Sequence, residues 1–253
     1  MRLSAATTAE RLLPQRLALR ARPLLGRIDA VLSGADARGE AGRMSVIAFA
    51  VRIVSAVIAF ASQVLMARWM GSFEYGIMVL VWTTMIIVGG LSCLGFHASV
   101  VRFIPEYRQH GQLAELRGVL VSSRLFVLAI SSVFALVGGL GVWLSSGWIE
   151  SYYVVPFVLG ITCLPMVALS DLLQGIARAH SWALSALLPT YIVRPLLILA
   201  FMALMLATGF APNARTGILA AIAATYATSI GQLLGLTRRI DAGLPRGPTT
   251  IRF

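Results

Sequence analysis

The sequence predicts an all-α fold, an integral membrane bundle of six transmembrane helices. Two observations carry that prediction. Hydrophobic residues make up 58% of the 253 positions and charged residues only 12%, about half the usual charged share. The apolar residues also gather into long runs, and a mean hydropathy of +0.84 excludes an ordinary soluble globule. The runs fall at 45–67, 75–100, 119–144, 153–176, 186–208 and 217–236. At about 1.5 Å rise per residue each can cross a hydrocarbon core of about 30 Å as a helix. None alternates apolar with polar residues as a barrel strand would, and a bilayer cannot hydrogen-bond an open backbone.

Orientation follows from charge. The net charge is +11, and all 21 basic residues are arginine. On one side of the predicted bundle lie the arginines of 1–43 together with Arg102, Arg108, Arg117, Arg124, Arg178, Arg238, Arg239, Arg246 and Arg252. The other side holds Arg68 and Arg215. The positive-inside rule therefore places both termini in the cytoplasm. Spread between apolar runs in this way, the basic charge reports topology, and no nucleic-acid partner is expected. Residues 1–43 form a basic cytoplasmic tail, 44–237 the six-helix lobe, and 238–253 a C-terminal cytoplasmic tail. No apolar segment precedes Pro14, so the tail does not read as a cleaved signal peptide. Its leucines and arginines suit either a helix on an anionic leaflet or a solvated, disordered segment.

Ionisable side chains inside a span cost about 2.5–3.5 kcal/mol at the helix centre, so each needs an account. Arg52, Arg124, Arg194 and Asp171 all fall within about 12 Å of the predicted cytoplasmic edge. Snorkelling to the headgroups accounts for a shallow arginine such as Arg124. Arg52 and Arg194 lie deeper, and the expectation is an inward-facing cationic vestibule of Arg52, Arg124 and Arg194, suited to phosphate oxygens. Asp171 is either the ion-pair partner of one of these arginines or a coupling carboxylate. Pro156, Pro165, Pro189 and Pro195 interrupt spans four and five. Gly89-Gly90, Gly138-Gly139, Gly141 and the pair Gly231 and Gly235 offer small faces for helix packing. Cys93 and Cys163 lie inside apolar runs and read as small packing residues.

Enzymatic chemistry lacks its residues. The chain contains no GxxxxGK[ST], HExxH, CxxC or GxSxG pattern. Its three histidines are scattered, and the only acidic pair sharing a loop is Glu106 and Glu115. Neither catalysis nor a cofactor or metal is expected.

Two motifs carry a resemblance. The join of spans one and two reads Ala67-Arg68-Trp69-Met70-Gly71-Ser72-Phe73-Glu74-Tyr75-Gly76, and span two ends in Val101-Arg102-Phe103-Ile104-Pro105-Glu106-Tyr107. These resemble the AR-x-L-G-x-x-E-Y-G turn and RF-x-x-E-Y stretch of the polysaccharide-biosynthesis, or O-antigen, flippases of the multidrug/oligosaccharidyl-lipid/polysaccharide exporter superfamily. Arg68, Gly71, Glu74, Tyr75 and Gly76 match the first motif, with Met70 in place of leucine, and Arg102, Glu106 and Tyr107 match the second. Read physically, Gly71 and Gly76 permit a tight reversal, Arg68 and Glu74 can pair, and Trp69 and Tyr75 suit the headgroup level.

The resemblance implies one lobe of a MATE-like flippase in the bacterial inner membrane. Such a transporter carries an undecaprenyl-pyrophosphate-linked oligosaccharide between leaflets for O-antigen or exopolysaccharide synthesis. The vestibule arginines would meet the pyrophosphate. The family's chains hold twelve or more spans, so six imply a single lobe completed by a second six-helix lobe or by a homodimer. Two other readings stand beside it. One is a six-span permease subunit of an ATP-driven transporter, whose coupling helix would come from 102–118. The other is a non-transporting membrane assembly protein for a glycan-synthesis complex.

Overall fold

A computed structural model describes residues 37–148 and 150–243. The expected N-terminal tail lies almost wholly outside the described residues, as does the C-terminal tail beyond Gly243. The chain divides into two compact units, Met1–Ile53 and Val54–Phe253. Among the described residues eight α-helices follow in order: α1 Ala37–Ser92, α2 Phe96–Gln109, α3 Leu113–Leu144, α4 Ser151–Ile161, α5 Leu164–Ala179, α6 Ala183–Leu188, α7 Arg194–Ala207 and α8 Ala214–Gly243. A π-helical turn, Pro189–Val193, joins α6 to α7. The described residues are helical almost throughout and form no strand.

Among the described residues four helical stretches are long and apolar enough to cross a membrane: Ala48–Ser92, Leu113–Leu144, Ala183–Ala207 and Ala214–Ala242. The pair α4 and α5, bent by 44° at a short break, makes a fifth if taken as one span. This is the architecture of a multi-pass membrane protein. The difference from the six predicted runs lies in α1, which takes in 45–67 and most of 75–100. Inside it Gly71 leaves helical geometry at φ 78 and ψ 165, a conformation that L side chains rarely adopt.

Three boundaries differ from the sequence expectation. Span two stops at Ser92, because Leu94 (φ 46) and Gly95 (φ 77) both turn left-handed. The stretch 102–109, expected as loop, is the second half of α2, whose Val100 and Ile104 are buried. The break in span four falls at Thr162 and Cys163, just ahead of Pro165 in the first turn of α5, while Pro156 lies inside α4. A proline at a helix start loses no bond it would have made.

The helices of the second unit enclose two apolar clusters. One gathers Val100, Ile104, Leu116, Leu120, Leu172, Leu173, Ile176, Leu236 and Ile240 from α2, α3, α5 and α8. The other gathers Met66, Met70, Ile77, Met78, Val81, Met85, Met202 and Ile218 from α1, α7 and α8, with Ile161 and Leu164 at the α4–α5 bend. Of the membrane-length helices α8 is the most enclosed. Its Ala220, Ala221, Ala224, Thr225, Thr228 and Ser229 are all buried. Small side chains let neighbouring backbones approach where lipid supplies no hydrophobic drive for association. The Thr225 and Thr228 hydroxyls return to the carbonyls of Ala221 and Ala224 at 2.7 and 2.8 Å, which satisfies them within the helix.

Glycines mark the closest crossings. A Cβ on Gly175 of α5 would strike the backbone carbonyl oxygen of His97 in α2, and one on Gly89 would meet Val167 Cγ1 at 2.6 Å. Gly231 and Gly235 do not serve as expected: both are exposed, with nothing within 4 Å of an added Cβ. Gly139 and Gly141 are likewise open, while a Cβ on Gly138 would meet Ile161 Cδ1 at 3.8 Å.

Candidate functional site

Ser170, Ser229 and Asp171 group with Arg194 in the second unit. A helix of this length normally returns each N–H to the fourth preceding carbonyl. Here the Arg194 N–H reaches back five residues to Pro189 O, and Pro195 brings no N–H at all. The widened turn carries Arg194 into the interior, where it is 7% exposed. Its Nη2 donates to Ser170 Oγ of α5 at 2.7 Å. Ser170 and Ser229 hydroxyls meet at 2.8 Å, and Ser229 Oγ donates to Met166 O at 3.1 Å. A hydroxyl has one proton to give, so the chain runs from guanidinium to Ser170, on to Ser229, and ends on a backbone carbonyl.

Asp171 follows Ser170 on α5. Its charge acts first on Arg194, then on His97 and Arg178, and its carboxylate lies 3.9 Å from where a Cβ on Gly90 would stand. Arg194 thus has a hydroxyl as its direct partner and a carboxylate as its electrostatic one. Its Nε is buried with no hydrogen-bond partner among the described residues, as is His97 Nδ1. An orphaned guanidinium N–H in the interior is costly unless something occupies it. Along α8 the network falls between members of the two apolar clusters.

The other predicted residues are distributed differently. Arg124, half-buried on α3, donates from Nη1 to Thr237 Oγ1 at 3.1 Å and interacts electrostatically with Asp241. Both partners lie near the end of α8, where the depth rule expected a shallow arginine. Arg52 belongs to the first unit and is exposed on α1. Arg68 is exposed, and among the described residues no ion pair joins it to Glu74. The Glu74 carboxylate instead accepts the N–H of Ala214 at 2.7 Å, at the start of α8. Asn213 Oδ1 accepts the N–H of Thr216 at 3.0 Å in the same turn. A carboxylate and a capping amide there satisfy two of the donors that a helix start leaves open.

Gly71 makes the break in α1, whereas Gly76 stays inside the helix with open space around it, so the expected two-glycine reversal rests on Gly71 alone. Trp69 and Tyr75 pack, half-buried, against the second cluster. Arg102 and Glu106 are exposed on α2, and Tyr107 packs against the first cluster. Cys93 and Cys163 are buried free thiols.

Comparison with protein-family models, with curated proteins and with solved structures finds no match to this chain.

Within the chain itself there is a likeness that the span-by-span reading missed. Val88, Gly90, Cys93, Leu94, Ala98, Arg108 and His110 recur at one constant offset as Val158, Gly160, Cys163, Leu164, Ala168, Arg178 and His180. The structure follows the same register. Helix α1 breaks at Cys93 before α2, and α4 breaks at Cys163 before α5. Both α2 and α5 end in a left-handed residue, Gly111 (φ 69) and Ser181 (φ 58). The N–H groups of Gln112 and Trp182 return to Tyr107 O and Ala177 O at 3.0 and 2.9 Å. His110 and His180 each place Nδ1 on the carbonyl four residues back, at 2.8 and 2.9 Å. Such paired endings define the Schellman close of a helix. Aligning the sequence with itself would have exposed the repeat.

Proposed function

We propose that this chain is a lobe of a lipid-linked glycan transporter of the polysaccharide flippase type, and that Arg194 is its phosphate-binding centre. The observation that carries the reading is a buried guanidinium, held by one serine and left with an Nε that has no hydrogen-bond partner among the described residues. The planar guanidinium fork suits phosphate oxygens, and undecaprenyl pyrophosphate would supply them at membrane depth. Arg124 adds to the basic charge of the second unit in this reading, and Asp171 is either the counter-charge of Arg194 or a coupling group. If α1 divides at Gly71 and α4 with α5 form one broken span, the chain crosses six times with both termini cytoplasmic. A second lobe or a second copy then supplies the opposite wall. The role is transport rather than catalysis.

The permease reading has less support. Its coupling segment would have to come from 102–118, where only His110, Gly111 and Gln112 separate α2 from α3.

The test is export of lipid-linked oligosaccharide by cells that depend on this chain, with the membrane level of each variant measured alongside. Arg194→Ala should abolish export at normal protein level, and Arg194→Lys should restore part of it. Unimpaired export by Arg194→Ala would remove the assignment.

A further inference from the structure

The repeated turns after α2 and α5 bring positive charge to one end of the second unit. Arg108, in the last turn of α2, acts electrostatically on His180 beyond the end of α5, so the two turns are neighbours. Trp182 completes the second of them, half-buried against the first apolar cluster. The His180 ring stacks on it with centroids 4.7 Å apart, and the Arg239 guanidinium lies 4.2 Å from a Trp182 ring centroid. Arg239 is held further by its Nη1 on Ser185 Oγ at 3.2 Å, and Arg178 by its Nη2 on Gln174 Oε1 at 2.8 Å.

These arginines are exposed, and the ordinary account would leave them to solvent. Two features argue for a partner. A guanidinium carries five N–H donors, and these contacts use one on Arg239 and two on Arg178, so both are fixed in place with donors remaining. A half-buried tryptophan beside cations at the end of membrane helices also marks headgroup depth. The acidic charge nearest in chain to Arg178 along α5, Asp171, acts on Arg194 before it acts on Arg178.

We propose that Arg239 on Trp182, with Arg108 and Arg178 beside the stacked His180, binds the phosphodiester headgroup of an anionic glycerophospholipid. The inference requires only that the chain spans a bilayer and does not rest on the transport reading. The lipid anchors the hairpin ends to the leaflet and bridges α2, α5 and α8.

The experiment is native mass spectrometry of the purified full chain with phosphatidylglycerol or phosphatidylcholine, together with thermal unfolding in mixed micelles of each. The wild type should retain phosphatidylglycerol preferentially and unfold at higher temperature with it. Arg178→Ala/Arg239→Ala should weaken retention about tenfold or more, the usual effect of losing a charge-assisted contact. Arg238→Ala removes the same charge one residue from the ring contact and should leave retention unchanged. Should the double alanine variant not fold, Arg178→Lys/Arg239→Lys keeps the charge without the planar fork and should bind at an intermediate level. Equal retention of the two lipids overturns the proposal. So does an equal loss in Arg238→Ala, which would mean diffuse charge, or equal stabilisation by inorganic phosphate, which would mean an anion site with no lipid.

Discussion

Arg194 Nη2 donates to Ser170 Oγ at 2.7 Å, so the enclosed charge is held from a different helix by a neutral hydroxyl. The Asp171 carboxylate one residue on contributes through its field. A buried salt bridge would spend much of its Coulombic attraction on desolvating two charges. A hydroxyl chain that ends on the Met166 carbonyl orients the guanidinium through neutral groups. In the transport reading proposed above, that charge is kept for an incoming anion.

The chain of donors sets an order of costs. Ser170→Ala should destabilise the protein by about 1.5–3 kcal/mol, the range for a hydrogen bond to a charged group. Ser229→Ala breaks neutral bonds only and should cost about 1 kcal/mol. The double variant should lose less than the sum, because the two hydroxyls share one bond. Unfolding in detergent or bicelles measures all three, and a larger loss for Ser229→Ala than for Ser170→Ala would show that the donor chain runs differently.

Much of this architecture is legible in the sequence, for identifiable reasons. Helical crossings follow from hydropathy because the bilayer admits few alternatives. Arg194 stands out by its depth within an apolar run, where every charge needs an explanation. Ser170 and Ser229 carry no such signal, since small hydroxyls inside spans usually bond their own helix, as Thr225 and Thr228 do. Glu74 on Ala214 joins residues far apart in sequence, and a local motif suggested the nearby Arg68 instead. The stop at Ser92 depends on Leu94 taking a left-handed conformation inside an unbroken apolar run. Hydropathy is blind to that.

Glycine spacing identified small faces without saying which ones touch anything, and the contrast is measurable. On Gly175 an added methyl meets the His97 backbone carbonyl, which cannot rotate away. Gly175→Ala should therefore cost about 1–3 kcal/mol or more through overpacking. Gly235, exposed on α8 with open space, should respond in the opposite sense. Alanine there should stabilise by up to about 1 kcal/mol, because glycine is the poorer helix former. Thermal unfolding of the two single variants tests the pair, and equal responses would mean that α2 and α5 do not cross so closely.

The turn after α5 adds a dependence on pH. Burial holds the His180 imidazole below its ordinary pKa, with Arg108 adding to that effect and the hydrogen bond to Ile176 opposing it. In the unfolded chain the group titrates near its usual value of about 6.5. Between the lowered folded value and that figure the unfolded chain binds more protons, so stability falls as pH falls. The contribution of His180 is therefore fully present above about pH 6.5, declines below it, and levels off once the folded group has itself taken up its proton. His180→Asn should narrow the stability difference between about pH 8 and pH 5 relative to wild type. Arg108→Ala should narrow it as well, by removing part of the cause. Unfolding followed at both pH values checks the double difference, and an unchanged pH dependence in His180→Asn would place the titrating group elsewhere.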